Sequence, residues 1–362
     1  MDLEKKVWLV KRPPTVEVIT EDELRKLFET KSHPVAYNGF EPSGLVHLGT
    51  GLICAYKMKD LVEAGVKVKI LLATYHAWIN NKLGGDLKLI KLAAKHFIHA
   101  WRSLGVPDTG VEYIFADEIY DDLDYWTKVL LISKELTIRR ARRTLEIAGR
   151  KEVEAKKVAD LLYTPMQVAD IFHLGVDICQ LGTDQRKANV IAREIGEKIG
   201  FWKPVCVHHH LLQGLAPPPV WPLPPGREKE ILSEAKMSKS KPKTAIFIYD
   251  EPEVIKEKIR AAFCPPRETY YNPILDIVRY IVFREKDIFV IDRPPKYGGR
   301  LEYHSYSELE KDYKEGKIHP LDLKEAVANV LIEVLEPVRK YFKNNREALE
   351  LLSVLRRTKI TR

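Results

Sequence analysis

A glycine-rich stretch between residues 39 and 50 holds the first side chains whose types and spacing could do chemistry. Gly39, Gly44 and Gly49 let the backbone approach a ligand closely, and His47 and Thr50 add polar groups beside them. The stretch follows a short apolar run and precedes a helical pattern, and the free N–H groups at a helix N-terminus attract anions. The spacing therefore indicates a nucleotide phosphate site. An ordinary strand-to-helix turn with a core histidine is the alternative for this motif alone.

A second group of candidate residues runs from Lys236 through Met237, Ser238 and Lys239 to Ser240. Two lysines in one short loop can neutralise the charge that develops on a polyphosphate during reaction. Alone, a lysine-rich loop is usually a solvated run of charge. Together with the glycine-rich stretch, this loop favours chemistry on a nucleotide.

A third group of polar residues has helical spacing. Tyr163, Gln167 and Asp170 recur at i, i+4 and i+7, so they share one face of a helix. Pro165 predicts that the regular helix begins only at Thr164, with the proline in its first position. The flanking residues are apolar, which leaves little of this helix for solvent. The pattern favours a small-molecule pocket over a solvated stripe.

The elements that must position these residues alternate between strand and helix. Short apolar runs predict strands at 35–37, 66–73, 113–115, 176–181 and 205–207, and helix-period segments lie between them. This alternation predicts an α/β fold with a parallel sheet covered by helices. Between 121 and 160 the connection is longer than a usual crossover, and Ile138, Ala141, Leu145 and Ala148 have helical spacing. We expect a helical insertion there that makes a dimer contact.

The length of 362 residues favours two domains over one. We expect a catalytic domain over 1–249 and an α-helical domain over 250–362. The second prediction depends on one apolar stripe of helical spacing, formed by Leu323, Val327, Val330, Val334 and Val338.

Charge and composition narrow the partners. Lys and Arg outnumber Asp and Glu by 59 to 51, a net charge of +8, which favours a polyanionic partner such as nucleic acid. The absence of a long apolar run and of an apolar leader predicts a cytoplasmic protein with no membrane contact. The four cysteines form no C-x-x-C pair. Three consecutive histidines stand at 208–210, but neighbouring residues cannot aim three imidazoles at one ion. We therefore expect no structural metal.

The glycine-rich stretch and the Lys236 to Ser240 loop together resemble the two signatures of class I aminoacyl-tRNA synthetases. With the Tyr163 to Asp170 face, the chain resembles the tyrosyl-tRNA synthetases of the archaeal and eukaryotic type over almost its whole length. The matching stretches are 37–49, 71–80, 140–146, 163–187, 236–240, 264–265, 272–273 and 319–324. The resemblance implies a Rossmann-like catalytic domain with a helical insertion, followed by an α-helical anticodon-binding domain.

The resemblance also implies a set of residues for tyrosine. Tyr37 and Asp170 would hydrogen-bond the substrate phenol, which agrees with its chemistry, because a phenol both donates and accepts. The residues implied for the α-amino group are Tyr163, Gln167 and Gln185, and those implied to line the same pocket are Leu71 and His76.

By the same resemblance, ATP with Mg²⁺ is a substrate, and His47, Thr50, Lys236 and Lys239 stabilise the charge on its phosphates. We assign no general base, because positioning and electrostatics can carry the step. The residues implied for ATP binding are Gly39, Gly44, His47, Gly49, Lys236, Met237, Ser238, Lys239 and Ser240.

The remaining implied partner is tRNA(Tyr), bound by a homodimer. Arg186 and Lys187 would read the first acceptor base pair, and Asp322 would read the first anticodon base. His319 belongs to the same C-terminal motif. Arg142 and Arg143 would touch the acceptor stem, with a solvated helix face as the alternative.

Four residues depart from the family pattern. Thr50 stands where many class I enzymes have histidine, Tyr120 and Thr74 stand where relatives carry Gln and Asp, and Ile281 replaces an aromatic residue beside the anticodon. Two other functions remain open on the sequence: a tryptophanyl enzyme, and an RNA-binding relative that has lost catalysis. The Tyr37 and Asp170 pair opposes the first, and the intact His47 and Lys236 to Ser240 oppose the second.

Overall fold

A computed structural model describes residues 1–144, 157–226, 231 and 235–358 of the chain. It divides into two compact units that are not contiguous in sequence. The first unit comprises Met1–Gly44, Ala55–His210 and Leu351–Arg362, and the second comprises Leu45–Cys54 and Leu211–Glu350. This division differs from the boundary predicted near residue 250, which stays a prediction.

The first unit is built on a six-stranded sheet with strand order β1-β6-β5-β2-β3-β4. Its strands are β1 Thr15–Ile19, β2 Val35–Phe40, β3 Lys67–Leu72, β4 Val111–Phe115, β5 Ile178–Gly182 and β6 Val205–His209. Strands β2 to β6 pair in parallel, which confirms the predicted α/β sheet. Strand β1 was not predicted; it pairs antiparallel with β6 at the edge, where a short strand needs one partner only.

The strand order reverses between β5 and β2. In open parallel sheets such a reversal leaves a crevice beyond the carboxyl ends of the strands, and ligands bind there. Tyr37 lies in β2 and Leu71 in β3, while Gln185 follows β5 within a single turn of helix. The topology therefore brings three of the predicted pocket residues to the ligand-binding end of one sheet.

Helices surround this sheet. The helices of the first part of the chain are α1 Leu3–Lys11, α2 Glu21–Thr30, α3 Cys54–Glu63, α4 Thr74–Ile79, α5 Leu87–Ser103, α6 Ala116–Tyr120, α7 Leu123–Glu135, α8 Ile138–Arg143, α9 Val158–His173 and α10 Arg186–Gly196. Helix α2 begins with a reciprocal capping box, in which Thr20 accepts from the Glu23 amide and Glu23 accepts from the Thr20 amide.

The predicted helical insertion forms as separate helices. Helices α7 and α8 are separated by Leu136 and Thr137, and the hydroxyl of Thr137 caps α8 by accepting from the amide of Arg140. Ala141 is buried and Ile138 is exposed. Leu145 and Ala148, which completed the predicted stripe, lie outside the described residues.

The second unit is mainly helical. A π-helical turn spans Gly49–Ile53, and the later elements are α11 Pro252–Ala261, α12 Pro273–Ile277, α13 Phe283–Glu285, β7 Phe289–Ile291, β8 Leu301–Tyr303, α14 Tyr306–Glu315, α15 Pro320–Val334, α16 Glu336–Asn344 and α17 Arg346–Arg357, which continues into the first unit. The antiparallel pair β7 and β8 was not predicted.

The predicted C-terminal stripe is right in part. Leu323, Val327 and Val338 are buried, but Val330 and Val334 are only half buried. The helix ends at Val334, and Leu335, the residue between α15 and α16, is fully buried. Within the described residues, no helix is both long and apolar enough to cross a membrane.

Candidate active site

Tyr37 projects from the central strand β2 and is 2% exposed. Its hydroxyl lies against Gly39: a Cβ atom at Gly39 would come within 2.5 Å of that oxygen. Gly39, predicted as an ATP contact, thus has a structural role in leaving room for the Tyr37 hydroxyl. Burial raises the pKa of Tyr37, and nearby Asp170 raises it further, so Tyr37 stays protonated and can donate a hydrogen bond.

Helix α9 carries the predicted polar face. Tyr163, Gln167 and Asp170 are all buried on it. The prediction that regular helix starts at Thr164 is wrong, because α9 begins at Val158 and contains Pro165 in its interior. Asp160 accepts from the backbone of Lys157 at the start of this helix, and α9 packs along α7, so capping and packing outweigh the hydrogen bond that the proline cannot donate.

Asp170 is the centre of a buried cluster of hydroxyl and imidazole groups. Its Oδ1 atom accepts hydrogen bonds from Tyr120 at 3.2 Å and from Tyr125 at 3.0 Å. The Nε2 atom of His76 lies 3.9 Å from Oδ2. Burial raises the pKa of Asp170 to about 8, although the two phenols lower it. A buried carboxyl group with a raised pKa in a partly polar pocket is typical of a functional site.

His76 and Leu71, both predicted to line the pocket, are buried near Asp170 and Tyr37 respectively. Leu71 is fully buried and belongs to the apolar cluster that also contains Tyr37, Tyr120 and Tyr125. Burial lowers the pKa of His76 to about 4, so its imidazole is neutral at pH 7. Its Nε2 atom is buried without a hydrogen-bond partner.

The amide groups of Gln167 and Gln185 meet at 3.1 Å. The hydroxyl of Tyr163 donates to Glu41 at 2.8 Å, and the side-chain amide of Asn80 donates to the same Glu41 oxygen at 2.6 Å. Sequence reasoning missed Glu41, although it lies within the glycine-rich stretch. Its other carboxylate oxygen pairs with the ammonium group of Lys82 at 3.4 Å.

In the second unit, His47 is held by the glycine that follows it. The Gly49 amide donates to His47 Nδ1 at 3.1 Å, and a Cβ atom at Gly49 would lie 3.2 Å from that nitrogen. Burial lowers the pKa of His47 to about 3, with further lowering from Lys239 and Lys236. The imidazole is therefore neutral with its proton on Nε2, which makes that atom a hydrogen-bond donor.

The other predicted phosphate residues have distinct local settings. Gly44 has a φ of 116°, a backbone conformation that residues other than glycine rarely adopt. Thr50 is half buried, and its hydroxyl lies 3.4 Å from the His47 carbonyl.

The Lys236 to Ser240 loop is anchored by its methionine. Met237 is 4% exposed, and its amide donates to the Leu212 carbonyl at 2.7 Å. The hydroxyls of Ser238 and Ser240 lie 3.0 Å apart across a turn. Both lysines act on the titration of His47, which shows that they lie near it. Met237 thus fixes the loop while the lysines remain half buried beside the imidazole.

The predicted acceptor-stem residues lie on α8 and α10. Arg142 and Arg143 are exposed. Arg186 is also exposed, and its Nε donates to Glu17 in β1 at 2.9 Å, while Lys187 donates to the carbonyl of Arg143 at 3.2 Å. Lys187 thereby connects the two basic helices.

In the second unit, His319 is the N-cap of α15, where its Nδ1 atom accepts from the Leu321 amide at 3.2 Å. Asp322 lies in the first turn of the same helix and is half buried. Ile281, which departs from the aromatic residue of the family pattern, is fully buried and therefore lies in the core rather than on the surface.

The histidine triplet does not converge on one point. His208 Nδ1 lies 2.7 Å from Glu17, whereas His209 Nδ1 lies 2.7 Å from Gln180. In the part of the chain that the structure describes, one other group has metal-ligating atoms close together: Asp122, Asp124 and His173. One ligand atom from each of these residues lies within 4.8 Å of the others, and both aspartates are exposed.

Comparisons with known proteins agree with this geometry. The family model for class I tRNA synthetases specific for tryptophan and tyrosine matches residues 29–336. The tyrosine–tRNA ligase of Thermococcus kodakarensis is 51% identical, with all of both chains covered. That of Pyrococcus furiosus is 50% identical over 99% of this chain and 100% of its own.

Solved structures give the same relationship. The tyrosyl-tRNA synthetase of Pyrococcus horikoshii, complexed with L-tyrosine, has a TM-score of 0.92 and 48% identity, covering 98% of this chain and 100% of its own. The tryptophanyl-tRNA synthetase of Aeropyrum pernix has a TM-score of 0.70 at 18% identity and covers 98% of this chain and 90% of its own, a likeness of fold alone. The chain therefore belongs to the class I tryptophanyl and tyrosyl-tRNA synthetase family and, within it, to the tyrosyl-tRNA synthetases of archaeal type.

Proposed function

We propose that the protein is a tyrosine–tRNA ligase, which activates L-tyrosine with ATP and transfers the tyrosyl group to the 3′ end of tRNA(Tyr). The single observation that carries this proposal is the buried pairing of a protonated phenol donor, Tyr37, with a carboxyl acceptor, Asp170. A substrate phenol satisfies both groups, whereas phenylalanine leaves both unpaired. An indole N–H needs no donor opposite it, so the pair also disfavours tryptophan.

A separate set of side chains is assigned to the α-amino group of tyrosine, away from the phenol. Tyr163, Gln167 and Gln185 supply oxygen acceptors for the α-amino group, and Glu41, which is paired with Lys82, holds the Tyr163 hydroxyl. Leu71 and His76 line the space for the ring. This distribution leaves the carboxylate of tyrosine as the reactive group.

The glycine-rich stretch and the Lys236 to Ser240 loop supply the groups for ATP, which enters as its Mg²⁺ complex. His47 offers an N–H donor that carries no net charge, while Lys236 and Lys239 offer positive charge. Thr50 adds a hydroxyl in place of a second imidazole. Gly44 and Gly49 allow close approach of the backbone, and Met237, Ser238 and Ser240 shape the loop that carries the lysines.

The reaction needs no general base. The tyrosine carboxylate is already ionised at pH 7, and it attacks the α-phosphorus of ATP while the bond to pyrophosphate breaks. Charge develops on the phosphate oxygens, where the His47 imidazole and the ammonium groups of Lys236 and Lys239 stabilise it. In the second step the terminal ribose hydroxyl of tRNA takes the tyrosyl group and AMP leaves.

Recognition of tRNA is proposed for two separate regions. Arg142, Arg143, Arg186 and Lys187 would bind the acceptor end, and His319 with Asp322 would bind the anticodon. Apolar side chains on α7, α8 and α9 favour a homodimer: Leu123 is 81%, Leu130 65%, Ile138 64% and Val158 78% exposed. A cytoplasmic location forms part of the same proposal, since tRNA charging serves translation.

Charging of a tRNA(Tyr) transcript tests the proposal. The wild-type protein should attach labelled tyrosine, and not tryptophan or phenylalanine, in a reaction that requires ATP. Charging with tryptophan in preference to tyrosine would assign the chain to the other branch of the family. Binding of the transcript without any adenylate or charged product would identify an RNA-binding protein that has lost catalysis.

A further inference from the structure

Tyr120, one of the four departures from the family pattern, is the last residue of α6 and is held on three sides. Its ring stacks on Tyr125 with centroids 4.5 Å apart and lies against Tyr75 at 5.5 Å. The indole N–H of Trp126 donates to the Tyr120 carbonyl at 2.9 Å. The side chain is 9% exposed. These contacts fix the direction in which the hydroxyl points.

That hydroxyl bridges two other side chains. It donates to Oδ1 of Asp170 at 3.2 Å and lies 3.0 Å from Nδ1 of His76. A phenol has one proton, and if that proton goes to Asp170, the oxygen must accept from His76. His76 then carries its proton on Nδ1 and presents a lone pair on Nε2, the atom that is buried without a partner.

The two oxygens of Asp170 therefore differ. Oδ1 receives the hydroxyls of Tyr120 and Tyr125, and the single Tyr125 proton is shared with the Met166 carbonyl, 3.2 Å away. Oδ2 lies 3.9 Å from Nε2 of His76, which is beyond hydrogen-bond distance. A hydrogen-bond donor that approaches the carboxylate from the pocket would therefore bond to Oδ2.

We infer that Tyr120 is a positioning residue for tyrosine recognition: its hydroxyl fixes the Asp170 carboxylate and the His76 tautomer so that Oδ2 receives the proton of the substrate phenol. This inference rests on the proposed function of the same pocket, and it adds a residue to which the family resemblance assigned no role.

A change in pH profile separates this role from simple packing. The titratable groups that face Asp170 are the phenols of Tyr37, Tyr120 and Tyr125 and the imidazole of His76. The Tyr120 hydrogen bond lowers the pKa of Asp170 against the opposing effect of burial. Its loss raises that pKa further, so the ionised acceptor forms only at higher pH.

The test compares Tyr120→Phe with Tyr75→Phe in tyrosine-dependent ATP–pyrophosphate exchange from pH 6 to 9. Tyr75 is the matched control, because its ring touches Tyr120 and no hydrogen bond to Asp170 involves its hydroxyl. For Tyr120→Phe we expect KM for tyrosine to rise about tenfold near neutral pH, with kcat nearly unchanged, as for the loss of one hydrogen bond to a carboxylate. The difference from wild type should shrink as the pH rises. Tyr75→Phe should match wild type.

Tyr125→Phe tests the inference without changing Tyr120: it removes the other donor to Oδ1 and should shift the pH profile in the same direction, and an unchanged profile would overturn the inference. Where Tyr120→Phe folds, adding it to an Asp170→Asn background should change KM little, because the role of Tyr120 passes through the carboxylate. The same KM and pH profile in Tyr120→Phe and wild type would overturn the inference, and so would additive effects in the Asn background. Absence of tyrosine-dependent exchange in the wild type would instead overturn the proposed function.

Discussion

At the scale of single residues, the pocket places an ionisable acid where a neutral group would be easier to bury. Asp170 is 1% exposed, and it is surrounded by phenols and a neutral imidazole rather than by a cation. Burial without a positive partner disfavours the carboxylate, which explains why its pKa is raised to about 8. The proposed gain is a strong acceptor for a phenol, so recognition and stability oppose each other at this residue.

This opposition predicts a pH-dependent effect of Asp170→Asn on stability. The folded pKa of Asp170 is above the ordinary carboxyl value near 4, so the folded protein binds the extra proton between about pH 4 and 8. Wild-type stability therefore falls across this range as the proton is lost. Asparagine keeps the acceptor for both phenols and does not titrate.

We expect the melting temperature of Asp170→Asn, relative to wild type, to rise from pH 4 to pH 8 in calorimetry or dye-based melting. Asp322→Asn, the same substitution at a half-buried aspartate of the second unit, is the control. A melting difference for Asp170→Asn that stays flat with pH would contradict the assignment of a raised pKa.

At the scale of elements, different side chains of the Lys236 to Ser240 loop anchor the loop and carry its charge. Met237 holds the loop to the backbone of Leu212, while Lys236 and Lys239 act electrostatically on His47. Charges that matter most in the transition state change kcat rather than the binding of the other substrate.

Lys236→Ala and Lys239→Ala should therefore slow adenylate formation strongly and leave the dissociation constant of tyrosine near the wild-type value. Single-turnover kinetics and equilibrium binding of tyrosine measure the two quantities. Lys243→Ala, an exposed lysine just beyond the loop, is the matched control and should do neither. Normal single-turnover rates in both loop variants would show a solvated charge run.

Another element-scale device stabilises the end of α1. Lys57 in α3 is fully buried, and its Nζ donates to the carbonyls of Leu9, Val10 and Arg12 at 3.0 to 3.2 Å and to Asp60 at 3.1 Å. The ammonium group thus caps the C-terminus of α1, where orphan carbonyls need donors.

Lys57→Met should lower the free energy of unfolding by about 3–5 kcal/mol, because it breaks a buried ion pair with Asp60 and removes the donor to three carbonyls, while Arg12 stays 3.8 Å from Asp60. Urea denaturation measures this loss. Lys57→Met with Asp60→Leu should recover part of it. The exposed Lys26→Met is the control. A loss below 1 kcal/mol would mean that water replaces the ammonium group.

How far the sequence predicts these elements depends on whether the signal is local. The Tyr163, Gln167 and Asp170 face depends on spacing within one helix, and it lies on α9 as predicted. The Thr20 and Glu23 capping box is equally local, since its two residues are three apart. Strand β1 and the interior position of Pro165 depend on packing against distant segments, and local propensity does not show them. The contacts of Glu41 and Tyr120 join residues far apart in the chain, so no spacing indicated them.

At the scale of the whole molecule, two regions proposed to read tRNA belong to different compact units. Arg186 lies in the first unit and Asp322 in the second. Arg186 is held at its Nε by Glu17, which leaves the terminal nitrogens of the guanidinium to contact a base edge. Two independent contacts of one tRNA should give separable defects when each is removed.

Arg186→Ala should relax discrimination between C1–G72 and G1–C72 acceptor ends by about 1–3 kcal/mol. Asp322→Ala should weaken the preference for guanine at the first anticodon position. Neither should change tRNA-free exchange. Charging of swapped tRNA transcripts measures both effects, with Arg346→Ala, an exposed arginine of α17, as the control. If both variants charge all transcripts in the wild-type ratio, the RNA-reading residues lie elsewhere.

The most direct test of the central claim is ATP–pyrophosphate exchange by the wild type with tyrosine and with phenylalanine, beside the same pair in Asp170→Ala. The wild type should prefer tyrosine to phenylalanine by about 10⁵ in kcat/KM, the value established for tyrosyl-tRNA synthetases rather than one calculated from these distances. Asp170→Ala should lose about 1–3 kcal/mol or more of tyrosine activation, since the phenol loses its acceptor in a buried site. Equal exchange with phenylalanine in the wild type, or unchanged tyrosine exchange in Asp170→Ala, would contradict recognition of the phenol by Asp170.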